Sequence, residues 1–323
     1  MFSVCINGTP HGFFKGARGL RQGDPMSPFL FVLVMEVLQL MLQQLIEQGA
    51  GFSFHWHCKE LGLFQLCFAD DLLLFCKVNV ASVTIFKRDL DEFAKLSGLH
   101  ANPQKSQLIL SRSVHGIRGS LLEVLGFPEG HLPVRYLGLS LLSSRLTLSD
   151  CQPLLIKIDS RIKGWEGIQL SFAGRIQLIK LVLMSLNVYW AMAFILPKGV
   201  IREVEKCLRS FLWKGTSNVG YRKVAWHLVC RPIEEGSQGI RDILALNKAL
   251  MSRHLWNMIN GNCASIWVNW IFHTRFRDKS IWTVNDKSGS WGWRKILCLR
   301  HALLPHIDFK IGDGDLLSLW HDP

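Results

Sequence analysis

The stretch that decides the fold is "LFQLCFADDLLLFC", residues 63–76, where two aspartates interrupt an almost continuous apolar run. Its two halves, about 63–68 and 72–77, predict short strands joined at Asp70 and Asp71. Asp is common in tight turns, so turn chemistry alone could explain the pair. Strands that are apolar on both faces must be covered, so we expect the turn to lie in a partly enclosed cleft. Carboxylates held there favour divalent cations, because a buried charge without a partner is costly.

The segments around this hairpin predict a mixed fold. Residues 2–7 predict a strand that enters a hairpin, and a helix is predicted from Ser27, as its N-cap, to about Glu47. A second helix lies within "VTIFKRDLDEFAKLSGL" and ends at Gly98, and "SQLILS" (106–111) predicts a further strand. The order helix, strand, strand, helix, strand predicts an α+β fold, namely the ferredoxin-like split βαβ arrangement with its first strand missing.

The pattern becomes helical after a short strand pair at "VRYLGLSL". Apolar spacing predicts helices around 154–162, from 171 to 196 and around 201–212, which would form a bundle. From about 214 the chain is Trp-rich and irregular. One apolar stretch, 181–197, is nearly long enough to span a membrane, but its internal polar residues and flanking lysines favour a buried helix.

Composition points to a globular protein with an anionic partner. Hydrophobic residues make up 49% of the 323 residues, which excludes global disorder, and the net charge is +12. Lys and Arg number 13 against 12 acids in residues 1–150, and 24 against 13 in the remainder. This C-terminal basic surplus favours nucleic acid, although an anionic membrane surface would be served equally well.

The cysteines indicate a reducing compartment. There are nine, with no CxxC pair, so no disulfide framework or strong zinc signature is predicted. Two groups are weak metal candidates because each lacks a matching second pair. They are His55, His57 and Cys58, and Cys298, His301 and His306.

A paired carboxylate is what two-metal phosphoryl transfer requires, and hard cations such as Mg²⁺ prefer oxygen ligands. The glycine-rich basic loop "GARGLRQGDPMSP" before the first long helix fits as a second component. Arg18, Arg21, Gln22 and the helix N-terminus could receive a nucleotide or its base pair, and Gly23 would permit close approach. An ordinary connecting loop is the alternative interpretation.

Four motifs in order, "RGLRQGDPMSPFLF", "FADDLLLF", "SGLHANPQKS" and "YLGLSL", resemble the palm of reverse transcriptases from non-LTR (LINE-type) retrotransposons, especially the plant kind. A later stretch, "WHLVCRPIEEGSQGIRDILALNKALMSRHLW", resembles the region between thumb and zinc-binding segment in the same polyproteins. The resemblance implies a palm remainder at 1–145, a helical thumb at 146–213, and a connection region leading to a truncated zinc-binding segment at 214–323.

The resemblance also implies residue roles. Asp70 and Asp71 would be the catalytic, metal-binding aspartates, and Phe68 would lie below the incoming nucleotide. Lys105 matches a general acid that protonates pyrophosphate, with a solvated lysine as the alternative. The nucleotide and template contacts would be Arg18, Arg21, Gln22 and Gly23, and the primer grip would be Tyr136, Leu137 and Gly138.

The thumb would contact the duplex backbone through a basic stripe on its third helix. The stripe residues recur at helical spacing and suit phosphate contacts, although charged stripes are often simply solvated and Glu203 and Glu205 interrupt this one. They are Lys198, Arg202, Lys206 and Arg209.

The implied cofactor is Mg²⁺ or Mn²⁺, and the implied partners are an RNA template, a DNA primer and deoxynucleotides, in the nucleus or cytoplasm and without a membrane. The family has a third aspartate on its first palm strand, for which this sequence shows no counterpart. We therefore expect a fragment with an incomplete two-metal site that is inactive alone. The alternatives are a non-catalytic basic nucleic-acid-binding remnant, a non-functional product and, less well matched, a viral RNA-dependent RNA polymerase. Template specificity and oligomeric state stay open.

Overall fold

The computed structural model describes residues 2–16, 19–48, 51–111, 116–215, 224–261, 264–276, 280–285 and 289–308. The chain forms two compact units, one of residues 1–137 and one of residues 138–323.

The first unit mixes short strands with three helices. The elements are β1 (Phe2–Ile6), β2 (Thr9–Phe14), α1 (Ser27–Glu47), β3 (Gln65–Phe68), β4 (Asp71–Leu74), α2 (Val80–Ser97), β5 (Leu108–Ile109), α3 (Arg118–Leu125), β6 (Glu129–Gly130) and β7 (Val134–Tyr136). The predicted order of helix, strand, strand, helix, strand is present as α1, β3, β4, α2 and β5. However, β3 pairs with β4 and β5 pairs in parallel with β6, so the described residues form separate two-stranded ladders rather than one palm sheet.

The ends of the two long helices follow from local chemistry. The Asn79 side chain accepts a hydrogen bond from the Ser82 amide to cap α2, which stops at Gly98 with φ of +77°, as predicted. Helix α1 ends at Glu47, also as predicted, but its N-cap residue is Met26. The prediction of Ser27 as N-cap was wrong, because its hydroxyl instead donates to the Arg21 carbonyl in the preceding loop.

The hairpin with the paired aspartates rests on α1 and α2. Leu38 and Leu42 of α1 form a buried cluster with Phe86 and Phe93 of α2, and partly buried residues of β4 pack against it. The opposite face of α1 is exposed over most of its length. Only one side of this helix is therefore covered by the described part of the first unit.

The second unit is helical after one strand. Its elements are β8 (Leu139–Leu141), α4 (Gln152–Lys163), α5 (Phe172–Leu178), a π-helical turn (Ile179–Leu183), α6 (Met184–Ala193), α7 (Lys198–Lys214), α8 (Trp226–Val229), α9 (Ile243–Ile259), α10 (Ile266–Ile271), a second π-helical turn (Phe272–Phe276), α11 (Trp291–Cys298) and α12 (Arg300–Leu303), with 3₁₀ turns at Ile233–Glu235 and Leu304–His306. Helices α4 to α7 lie where the apolar spacing predicted them. The expectation that the chain is irregular from about 214 was wrong, because α8 to α12 lie in that stretch.

Two apolar clusters build the second unit. The larger one joins α4, α5, α6 and α7 through fully buried residues such as Ile158, Leu183 and Phe211, and it also includes Trp226 of α8. The smaller one surrounds Leu255 of α9 and extends to α10 and α11. Because α9 supplies residues to both clusters, it connects the bundle to the C-terminal helices.

Two helical stretches, Ser27–Glu47 and Phe172–Ala193, are long and apolar enough to cross a membrane by length and composition. The second contributes Ile176, Ile179, Leu183 and Trp190 to the larger buried cluster. That packing agrees with its interpretation as a core helix.

Candidate functional site

The paired aspartates lie at the tip of the β3–β4 hairpin. Phe68 is the register partner of Asp71, which leaves Ala69 and Asp70 as a two-residue turn. Ala69 has φ of +50°, in the left-handed region that tight hairpin turns require and that residues with a side chain rarely adopt. The Cys67 thiol donates to the Ala69 carbonyl at 3.4 Å. The local fold thus brings two consecutive carboxylates to one tip.

Both carboxylates are exposed, and Phe68 is 62% exposed. The expectation of a partly enclosed cleft was therefore wrong for the described residues. The reason lies in strand alternation: Leu72 packs toward the helices, whereas Asp71 and its register partner Phe68 project from the other face. Since water already solvates these acids, turn chemistry is a sufficient local explanation for the pair.

Tyr136 of β7 lies close enough to the hairpin tip for the charge of Asp71 to affect its phenol. Burial raises the pKa of its phenol above the ordinary value, and the negative charges of Asp71 and of a Cys67 thiolate raise that pKa further. Burial likewise raises the pKa of the Cys67 thiol, and the Asp70 carboxylate adds to the effect. The structure therefore brings one predicted primer-grip residue toward the predicted catalytic acids.

The remaining grip residues form a turn. Leu137 has φ of +49° and Gly138 has φ of +80°. Two consecutive residues in the left-handed region are typical of a tight hairpin turn. The boundary between the two units falls between these residues.

The loop before α1 is organised by its own backbone. The Asp24 carboxylate accepts from the Met26 amide at 2.8 Å, and the Ser27 amide donates to the Asp24 carbonyl at 3.1 Å. Arg21, Gln22 and Gly23 are exposed, and Gly23 has φ of +84°, a conformation that glycine adopts without strain. Arg18 lies outside the described residues. The exposed groups are thus accessible to a ligand, but their roles stay predictions.

Lys105 is exposed in a turn that Asn102 stabilises. The Lys105 and Ser106 amides both donate to the Asn102 carbonyl, at 3.1 and 2.9 Å. Lys105 makes no ion pair with a described residue. This placement fits a solvated lysine as well as a general acid.

The basic stripe of α7 is partly neutralised. Lys206 pairs with Glu203 at 3.3 Å and Arg209 lies 3.8 Å from Glu205, so two of its four cations already have partners on their own helix. Lys198 and Arg202 are exposed and have no acidic partner in the described part of the chain. Phosphate contact is therefore most favourable at Lys198 and Arg202.

The donor set at the hairpin tip does not complete a two-metal site. Adjacent carboxylates suffice for one Mg²⁺ that keeps several waters, but a second ion needs further acids. No group of three or more His, Cys, Asp or Glu side chains in the described ranges is placed to hold a metal. The structure therefore does not support a metal site at His55, His57 and Cys58, or at Cys298, His301 and His306.

The segment that contains this hairpin is similar to a known family. The family model for reverse transcriptase (RNA-dependent DNA polymerase) matches residues 1–141, which include the glycine-rich loop, the aspartate hairpin and the turn at Leu137. Residues 1–141 are therefore similar to reverse transcriptases.

Relatives extend the similarity along the chain. A Pol polyprotein of the R2 retrotransposable element from Popillia japonica is 24% identical over 285 residues, covering 82% of this chain and 43% of its own length. The corresponding R2DM polyprotein of Drosophila melanogaster is 26% identical over 261 residues, covering 76% of this chain and 23% of its own length. The resemblance to reverse transcriptases of non-LTR retrotransposons is thereby confirmed.

A plant protein is also similar to part of this chain. This protein from Arabidopsis thaliana is named a ribonuclease H protein. It is 31% identical over 186 residues, which cover 56% of this chain and 30% of its own length. The chain thus spans less than half the length of each of these three relatives.

Proposed function

We propose that this chain is a segment of a retrotransposon reverse transcriptase that acts on an RNA template, a DNA primer and deoxynucleotides. The observation that supports the proposal is the exposed hairpin tip with Asp70 and Asp71, which lies inside the segment that matches the reverse transcriptase family. The incomplete split βαβ palm and the thumb at 146–213 are part of the same proposal.

The proposed roles follow the family motifs. Asp70 and Asp71 are metal ligands, Phe68 underlies the nucleotide, and Lys105 donates a proton to the leaving pyrophosphate. The loop residues Arg18, Arg21, Gln22 and Gly23 contact the nucleotide and template, and Tyr136, Leu137 and Gly138 position the primer. The exposure of most of these side chains is compatible with contact to a ligand that binds from outside.

We propose further that these 323 residues by themselves do not extend a primer. The two carboxylates at the tip are the support, because two-metal nucleotidyl transfer needs more acidic ligands than one adjacent pair. The test is a primer-extension assay with a DNA primer on an RNA template, in Mg²⁺ and separately in Mn²⁺. We expect no extension above background. Extension that disappears on Asp70→Ala would contradict this proposal.

The second candidate function is nucleic-acid binding without catalysis. The C-terminal basic surplus and the exposed, unpaired Lys198 and Arg202 favour it. Binding of an RNA–DNA hybrid should weaken steeply with salt, should persist in EDTA and should survive Asp71→Ala, because counterion release rather than a bound metal would supply the affinity. Failure to bind the hybrid at low salt would eliminate this candidate.

A further inference from the structure

An exposed stack of aromatic rings lies in the turn before β3. Trp56 is 73% exposed, and its ring centroid lies 3.4 Å from that of His57 with an interplanar angle of 28°. The His55 ring lies 5.9 Å from Trp56 and 5.8 Å from His57. Three consecutive residues thus place their rings together at the surface of the first unit.

The turn that carries this stack is fixed by hydrogen bonds and by one buried anchor. The Cys58 amide donates to the His55 carbonyl at 2.8 Å, the Leu63 amide donates to the Cys58 carbonyl at 3.0 Å, and Cys58 is 8% exposed. Upstream, the Ser53 amide donates to the Ser82 hydroxyl of α2 at 2.9 Å. Because both sides of the turn are fastened, Trp56 is held outward by an ordered backbone.

The open face of Trp56 has the shape of a stacking platform. His57 covers one face of the indole, and the large exposed fraction leaves the other face to solvent. A flat, unpaired nucleobase fits such a face, because bases stack on exposed aromatic side chains. A base within a duplex is already stacked on both sides, so the platform selects single-stranded nucleotides.

Polar groups around the stack suit the same ligand. The His57 amide donates to His55 Nδ1 at 3.3 Å, so in the neutral ring the proton of His55 resides on Nε2, which is a donor. Lys59 is exposed beside the turn, next to the exposed Glu60, and the Lys77 side chain is also exposed. The ammonium groups of these two lysines suit contacts with the phosphates of a nucleic acid backbone.

We propose that Trp56, supported by His57, binds an unpaired nucleobase of a single-stranded segment that continues from the template–primer duplex. The choice of a nucleic acid as ligand rests on the proposed function. The ring stack itself, and the backbone that holds it, are independent of that function.

The test compares blunt and overhanging substrates by fluorescence anisotropy. One labelled RNA–DNA hybrid is blunt, a second carries a single-stranded RNA overhang of about eight nucleotides, and a third carries an abasic overhang of equal length. The variants are Trp56→Ala, Trp56→Phe and, as a matched control, Trp256→Ala, since Trp256 of α9 is 44% exposed and lies in the other unit.

We expect the overhang to tighten binding by the unaltered chain about fivefold or more, which corresponds to about 1 kcal/mol or more. Trp56→Ala should abolish this gain, Trp56→Phe should keep most of it, and Trp256→Ala should match the unaltered chain. The abasic overhang should give no gain. A gain that survives in Trp56→Ala, or that the abasic overhang reproduces, would overturn the inference.

The same titrations separate this inference from the proposed function. A free single-stranded RNA with the overhang sequence is titrated as a fourth substrate. If the blunt hybrid is not bound while this free strand is bound in a Trp56-dependent manner, duplex binding fails and the inference stands. If the hybrid is bound but the overhang adds nothing, the inference fails alone. If none of the substrates is bound, the inference and the proposed function both fail.

Discussion

Asp89 of α2 is a carboxyl that folding removes from water. It is 1% exposed, and its Oδ2 has no hydrogen-bond partner in the described part of the chain. Burial raises its pKa to about 6, the Glu92 charge adds to this shift, and Arg88 opposes it. The folded state therefore binds the proton more tightly than the unfolded chain, whose Asp titrates at about 4.

The expected consequence is a loss of stability as the pH rises from about 4 through about 6. Asp89→Asn should remove this dependence and raise the free energy of unfolding at pH 7.5 by on the order of 2 kcal/mol. Urea unfolding at pH 4.5 and 7.5 measures the effect. Asp91→Asn is the control, because Asp91 is exposed on the same helix and pairs with Lys87. An unchanged pH dependence in Asp89→Asn would rule out this explanation.

Asn247 of α9 is a buried amide that joins two helical segments. Its Nδ2 donates to the carbonyls of Ala191 and Phe194, each at 2.8 Å, and its Oδ1 accepts from the Leu196 amide at 2.9 Å. Asn247→Ala would leave these backbone groups without partners in a buried place, so we expect a loss of about 2–4 kcal/mol in the free energy of unfolding.

Thermal or urea unfolding of Asn247→Ala beside Ser252→Ala measures this loss. Ser252 is a matched control on the same helix, because its hydroxyl donates to the Lys248 carbonyl at an exposed position. Equal stability of the two variants would show that the Asn247 hydrogen bonds are not needed.

Among the described residues, helix α7 carries both unpaired cations and cations that are paired with a glutamate of the same helix. Arg202 is exposed and unpaired among the described residues, whereas Lys206 is held by Glu203. If α7 contacts duplex phosphates, Arg202→Gln should weaken hybrid binding and reduce the slope of log K against log salt by about 1, and Lys206→Gln should change it less. Salt titrations of both variants provide the measurement. Equal slopes for Arg202→Gln and the unaltered chain would exclude Arg202 from the interface.

Helices α1, α2 and α4 to α7, whose signals are local, were predicted correctly, whereas α8 to α12 were not predicted. Helix α2 has apolar residues at helical spacing and Gly98 at its end, and the structure gives Val80–Ser97. The strand predicted at 106–111 is only Leu108–Ile109, because its length depends on pairing with β6, about twenty residues away. Such partners are not visible in a short window of sequence.

The candidate site also combines features that the local sequence predicts with features that depend on distant residues. The hairpin and its adjacent carboxylates follow from the apolar run around Asp70 and Asp71, but their exposure does not, because it depends on what covers the second face of the strands. The approach of Tyr136 to Asp71 and the hydrogen bonds of Asn247 join residues more than fifty positions apart. Sequence periodicity contains no information about such contacts.

The two units should differ in stability. Buried residues of α4 to α9 form a large continuous cluster in the second unit, whereas the first unit has small clusters and an exposed apolar face on α1. We expect residues 138–308 alone to unfold cooperatively, and residues 1–137 alone to bind the dye ANS and to lack a sharp transition. Circular dichroism melts and ANS titration test this. A cooperative melt of 1–137 without ANS binding would contradict the expectation.

Iron-catalysed backbone cleavage tests most directly whether Asp70 and Asp71 hold a metal ion. Fe²⁺ replaces Mg²⁺ at oxygen sites and, with ascorbate and peroxide, cuts the chain beside the bound ion. We expect cleavage in or next to the β3–β4 hairpin, residues 65–74, that Mg²⁺ suppresses and that the double variant Asp70→Asn/Asp71→Asn lacks. Cleavage elsewhere only, or an unchanged pattern in the double variant, would contradict the assignment of this hairpin as the metal-binding tip.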